Sequence, residues 1–98
     1  MNTAKLETYS PEQKIGVEIY RKNESKEPIY FSKLVEEFEN QISRSTINKV
    51  IDKLFDLCII DAEWIREEKN NKWVRSLHIS GGEYKKYFKM LHDQIYEE

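Results

Sequence analysis

Cysteine occurs once in the 98 residues, as Cys58. A single thiol cannot close an internal disulfide, and it excludes a cysteine-based zinc site within one chain. Long apolar runs are missing too. Nothing approaches the ~20 residues that span a bilayer, and the opening stretch MNTAKLETYSPEQK holds no apolar region of the kind a secretory signal carries. We therefore expect a cytoplasmic chain with no membrane partner. Glycine is scarce at 3 residues, and neither a glycine-rich phosphate loop nor a nucleophile elbow is present. His78 and His92 do not form a metal-binding spacing, and no cysteine or carboxylate cluster completes one. The expectation is no enzyme, no metal, no cofactor and no small-molecule ligand. Basic charge is not in excess: 16 Lys and Arg face 18 Asp and Glu, for a net charge of −2, and the pI is about 5.8. That balance argues against non-specific nucleic-acid binding, but a specific binder depends on where the charges stand rather than on their sum.

What is present suits one small domain covering residues 1–98. Hydrophobic residues make up 39% and charged residues 35%, too apolar for a disordered chain and too polar for a membrane protein. The core must be small, so good packing or a partner matters. Residues 1–9 read as a polar tail with Leu6 and Tyr9 as its apolar groups, either frayed or docked. Ser10-Pro11-Glu12-Gln13 is a helix start: Ser10 caps, Pro11 suits the first helical position, and Gln13 completes a capping box. Ile15, Ile19 and Tyr20 give that helix its buried face, and it fades near Asn23. Pro28 to Phe31 is a short extended stretch. Ser32 then caps a second helix with Leu34, Val35 and Phe38 inward, and Glu39-Asn40-Gln41 leaves it.

Residues 42–60, ISRSTINKVIDKLFDLCII, organise the chain. Ser43 is an N-cap, and Ile42 before it can staple onto Ile47. Ile47, Val50, Ile51, Leu54 and Cys58 then share one helical face, while Arg44, Ser45, Asn48, Lys49 and Asp52 share the other. Beyond Ile60 the period becomes two. Residues 62–68 and 72–79 read as strands joined by a hairpin tip at Lys69-Asn70-Asn71-Lys72. Trp64 and Trp73 can pair across the hairpin and cover the core, a reading favoured over stacking on bases. Ser80-Gly81-Gly82-Glu83 opens a last helix by another capping box, spanning residues 81–98. The fold class is α+β: helix, short strand, helix, helix, strand, strand, helix.

This order resembles the winged-helix DNA-binding domain, a helix-turn-helix followed by a two-stranded wing. The local signature is Ile42 to Val50 with Leu54, then Leu57-Cys58-Ile59-Ile60, and Leu77-His78-Ile79-Ser80 looks like the end of a second wing strand. The resemblance covers the chain from Ser10 onward. It implies that the third helix enters the major groove of double-stranded DNA and that the wing tip touches backbone or minor groove. Two departures stand out. Family members commonly have glycine where Cys58 sits, because the chain leaves the helix there in a left-handed turn, and their DNA-reading face is usually more basic.

Ser43, Arg44, Ser45, Thr46, Asn48 and Lys49 are thus the recognition candidates. Arg can bond guanine, Asn can bond adenine, and hydroxyls suit phosphates. A plain solvated face with a cap is the other reading. Arg66, Lys69, Asn70, Asn71 and Lys72 are the wing candidates, against a reading of charged hairpin ends as solubility devices. Cys58 is read as a buried apolar filler rather than a redox sensor. The glutamates are placed on solvated helix faces. Tyr84, Tyr87, Phe88, Leu91 and Ile95 form a stripe on the last helix that folds back on the domain or pairs with a second copy. The sequence favours a homodimeric, sequence-specific DNA-binding transcriptional regulator, with a winged-helix protein-interaction module as the alternative.

Overall fold

The computed structural model describes residues 8–96. The expectation about Leu6 in the tail, and the last two residues of the final helix, lie outside the described residues. Among the described residues the architecture is α+β, with four helices and one two-stranded antiparallel sheet. In chain order these are α1 (Pro11–Glu24), α2 (Phe31–Glu37), α3 (Arg44–Asp56), β1 (Ile60–Glu67), β2 (Lys72–Ile79) and α4 (Gly82–Tyr96).

α1 starts as its sequence dictates. Ser10 Oγ accepts from the Gln13 amide at 3.1 Å, and the Ser10 amide donates back to Gln13 Oε1 at 2.9 Å. Its middle is buried all round, from Ile15 through Tyr20, because α4 covers one side of it while α3 and β2 cover others. Gly16 permits the closest of these approaches: a Cβ there would stand 2.2 Å from a ring carbon of buried Phe88 on α4. Ile15, Ile19, Ile29, Leu34, Ile47 and Ile95 are sealed from solvent around this helix. Each contributes roughly 1.5–3 kcal/mol, against about 1 kcal/mol for a helix cap. Convergence on α1 therefore holds the fold, and the caps set where each helix begins.

Several local expectations are corrected. The N-cap of α2 is Tyr30, with no side-chain capping bond, and Ser32 lies inside the helix. Residues 28–30 are extended but form no strand; Ile29 accepts one bond, from the Leu77 amide at 2.8 Å. β1 begins at Ile60, two residues before the expected start. α4 begins at Gly82, directly after Gly81, which has no side chain to form the expected box, and Ser80 lies outside the helix. Tyr9 is docked rather than frayed: its hydroxyl donates to Gln94 Oε1 on α4 at 2.9 Å.

α3 is capped by Ser43 as expected and ends at Leu57. Cys58 follows in the left-handed region, with φ of 58°. Its amide donates to the Phe55 carbonyl at 3.0 Å and the Ile59 amide to the Leu54 carbonyl at 2.9 Å, which is the Schellman pattern with Cys58 at the glycine position. The expectation that Cys58 is buried is wrong: a left-handed residue turns its side chain off the helical stripe, and the thiol is exposed. Ile59 and Ile60 carry the apolar pattern onward instead, both packed on the core.

In the hairpin Ile60 faces Ile79 and Glu67 faces Lys72, with residues 68–71 at the tip and Asn71 at φ 55°. Asn23, near the end of α1, clips the free edge of β2. Its Nδ2 donates to the Leu77 carbonyl at 2.9 Å, and its Oδ1 accepts from the Ile79 amide at 3.0 Å. With the bond to Ile29, this covers the edge that would otherwise be open for pairing.

Candidate nucleic-acid interface

α2 and α3 meet through a tight connection. Asn40 takes a φ of 68°, which asparagine tolerates better than most residues, and the Gln41 and Ile42 amides both donate to the Phe38 carbonyl, at 2.9 and 3.0 Å. The chain then enters α3 at Ser43, whose Oγ accepts from the Thr46 amide at 3.2 Å and donates to Thr46 Oγ1 at 2.9 Å. Ser45 Oγ lies 3.3 Å from Ser43 Oγ. The three hydroxyls thus form one cluster at the helix start, with Thr46 half-buried and the two serines exposed.

Arg44, Asn48 and Lys49 are exposed along the first turns of α3, while Ile47, Val50, Ile51 and Leu54 are buried beneath them. The Arg44 guanidinium sits 5.0 Å from the centre of the Phe31 ring at the start of α2. That cation–π contact ties the exposed group to the joint between the two helices and is worth roughly 0.5–1 kcal/mol at an exposed site.

The hairpin stands beside α3. Asn48, Ile51, Asp52 and Phe55 of α3 and Trp64, Trp73 and Arg75 of the hairpin line one groove of about 320 Å³, with Tyr30, Phe31 and Leu77 contributing to it. Arg75 bridges the two elements, its guanidinium 4.8 Å from the Phe55 ring centre. Of the five wing candidates, Asn70 is tied to a neighbouring side chain. Asn70 donates to Glu67 Oε1 and Tyr30 donates to Glu67 Oε2, so Glu67 is held on the far side of the hairpin. Burial, the bond to Glu67 and the carboxylates of Glu67 and Glu36 push the Tyr30 hydroxyl up to about 12. Arg66, Lys69, Asn71 and Lys72 are exposed; Arg66 and Lys69 also line a second cleft, under the hairpin.

Trp64 and Trp73 depart from their expected role. They are 64% and 63% exposed, so they do not cover the core. Register explains this. Trp64 faces Arg75 and Trp73 faces Arg66, so the two indoles are diagonal neighbours on the outer half of the sheet. Their strand face is the one whose inner half, Ile60, Leu77 and Ile79, is buried, but the helices reach only that inner half. The alternation of Trp64 with Arg66 and of Trp73 with Arg75 was visible in the sequence; how far the helices extend over the sheet was not.

On α4, Phe88, Leu91 and Ile95 are buried in the chain's own core, whereas Tyr84 and Tyr87 are 37% and 41% exposed. Tyr87 accepts from Gln13 Nε2 at 3.1 Å and meets Phe88 edge-on. Leu57 and Met90 are exposed as well.

One glutamate breaks the expected pattern. Glu18 of α1 is buried, 3.4 Å from Arg21 and against Glu37 of α2. Burial, with the hydrogen bond and charge of Glu37, pushes its carboxyl up to about 8, although Arg21 and Lys22 pull the other way. The site lies in a cavity also lined by Lys14, Gln41 and Tyr96. Among the described residues no group of three His, Cys, Asp or Glu could hold a metal ion, and no helix is long and apolar enough to cross a membrane. No protein-family model matches the chain, and neither curated proteins nor solved structures include a significant match.

Proposed function

We propose that the chain is a winged-helix protein that binds double-stranded DNA with sequence preference, as a homodimeric transcriptional regulator. The observation that carries this reading is the juxtaposition of α3 and the hairpin. Asn48, on the exposed face of α3 that also carries Arg44, Ser45 and Lys49, lines one groove with the hairpin, whose far end bears Lys69 and Lys72. A helix offering Arg and Asn suits base edges in the major groove, and a cationic tip beside it suits phosphates. The acid balance of the chain matters less than this local arrangement. Tyr84 and Tyr87 are what remains of the α4 stripe for pairing with a second copy. The reading assigns the chain no reaction.

The test is selection of bound sequences from a random duplex pool at low salt, followed by a salt titration. A palindromic motif bound with an affinity that falls steeply with salt is expected. Failure to bind any duplex at low salt overturns the reading. A second reading, a winged-helix module that binds protein, is favoured by the exposed Leu57, Tyr84, Tyr87 and Met90, and it becomes the better one in that outcome.

A further inference from the structure

The outer half of the sheet face beside α3 carries four side chains in a checkerboard: Trp64 opposite Arg75, and Arg66 opposite Trp73. Among the paired residues of β1 and β2 no carboxylate shares this outer face; the carboxylate that lines the groove beside it is Asp52 of α3. The β1 acids Asp61, Glu63 and Glu67 have the opposite parity, and Glu67 is tied to Tyr30 and Asn70. Two indoles nearly two-thirds exposed are costly on a surface whose only task is solvation. Interleaved with two guanidiniums, they match what unpaired nucleic acid requires: flat apolar rings on which bases stack, with cations spaced to follow the phosphates.

We propose that this face binds an unpaired stretch of DNA, with bases stacked on Trp64 and Trp73 and the backbone held by Arg66 and Arg75. The proposal rests on the DNA reading above for the identity of the polymer, and goes beyond it in requiring bases out of the duplex. Diagonal neighbours on a sheet lie roughly 7–8 Å apart, about twice the ~3.5–4.0 Å of carbon–carbon contact. One base fits between the two rings, or each ring takes its own. The groove behind them is apolar at Phe31, Ile51 and Phe55, and Asn48 with Asp52 supplies polar groups for base edges. Its volume of about 320 Å³ is at the low end for a small-ligand site, enough for a base and not for a folded partner. Duplex contacts through Arg44, Ser45 and Lys49 leave the two indoles free, and although Asn48 and Arg66 are common to both modes, substitutions at the indoles separate them.

Trp64 and Trp73 are the chain's 2 tryptophans, so indole fluorescence reports on this face alone. The full chain is titrated at low salt with an oligothymidylate of about 12 nucleotides, within the usual site size of single-strand binders, with an abasic strand of equal length, and with random duplex. Quenching by the oligothymidylate and not by the abasic strand is expected. By anisotropy of the labelled strand, Trp64→Ala and Trp73→Ala should each weaken strand binding about tenfold or more, with duplex affinity and melting temperature retained. Trp64→Phe and Trp73→Phe should keep most of the strand affinity. Duplex binding without strand binding overturns the proposal and leaves the DNA reading standing. Equal binding of the abasic strand, or strand binding that survives both alanine changes together, also overturns it. If neither polymer binds, both readings fall.

Discussion

Asn23 and Cys58 are two single residues on which much local order depends. Asn23 satisfies a carbonyl and an amide on the edge of β2 from a position at the end of α1, so it joins the first helix to the last strand. Asn23→Ala leaves the Leu77 carbonyl and Ile79 amide without their partner. It should cost about 1–3 kcal/mol, read by urea unfolding, together with faster hydrogen exchange at Ile79. An unchanged unfolding midpoint would show that water replaces the clip at no cost. Cys58 holds a φ of 58°, a conformation that costs a residue with a Cβ about 1 kcal/mol relative to glycine. Its side chain is exposed and adds no core packing. Cys58→Gly should therefore raise the melting temperature by ~4–8 °C; a fall would mean that the thiol makes a stabilising contact.

At the scale of elements, the proposed DNA reading divides its contacts between α3 and the hairpin. Arg44 is exposed at the start of α3 with its guanidinium over the Phe31 ring, and a guanidinium can contact a base in bidentate fashion. Lys69 is at an exposed tip, where contact with phosphate carries no sequence information. Arg44→Ala should relax specificity at one position of the selected motif, at a cost of about 1–3 kcal/mol on the preferred sequence. Lys69→Ala should weaken all duplexes alike and reduce the salt slope by about one. Competition titrations with the preferred and scrambled duplexes at several salt concentrations distinguish the two. If both variants behave the same way, the division between helix and wing is wrong.

For the molecule as a whole, the buried Glu18 couples stability to pH. It faces Glu37 from α2, Arg21 and Lys22 from its own helix, and the cavity lined by Lys14 and by Tyr96 of α4. Its carboxyl, pushed up to about 8, titrates well above the ordinary 4.5 of a glutamate. The native state therefore binds more protons than the unfolded chain between these two values, and stability falls as pH rises through that window. Melting temperature should be lower at the alkaline end of the window than at the acid end by about 5 °C or more. Glu18→Gln, whose amide can donate to Glu37, should flatten the dependence and raise the melting temperature at the alkaline end. A wild-type profile that rises across the window would sink the assignment.

Much of this was legible along the chain. Ser10 with Gln13 and Ser43 with Thr46 mark their helix starts because a cap is a contact between residues three apart, and the stripe of Ile47, Val50, Ile51 and Leu54 needs only the helical period. The left-handed site at Cys58 was suggested by the winged-helix resemblance, which puts glycine there, and the exposure of its thiol was not legible. The strand parity that groups Trp64 with Arg66 and Trp73 with Arg75 was also there to be read. What tertiary structure decided is which of these periodic faces is covered. Burial of Glu18 depends on α2 arriving beside α1. The use of Phe88, Leu91 and Ile95 inside the chain depends on α4 lying against Gly16. The exposure of both tryptophans depends on helices that reach only the inner half of the hairpin. Local periodicity specifies the elements and their two faces, because those follow from backbone geometry. Which face meets solvent, protein or a ligand follows from distances between segments far apart in sequence, and only the packed chain supplies them.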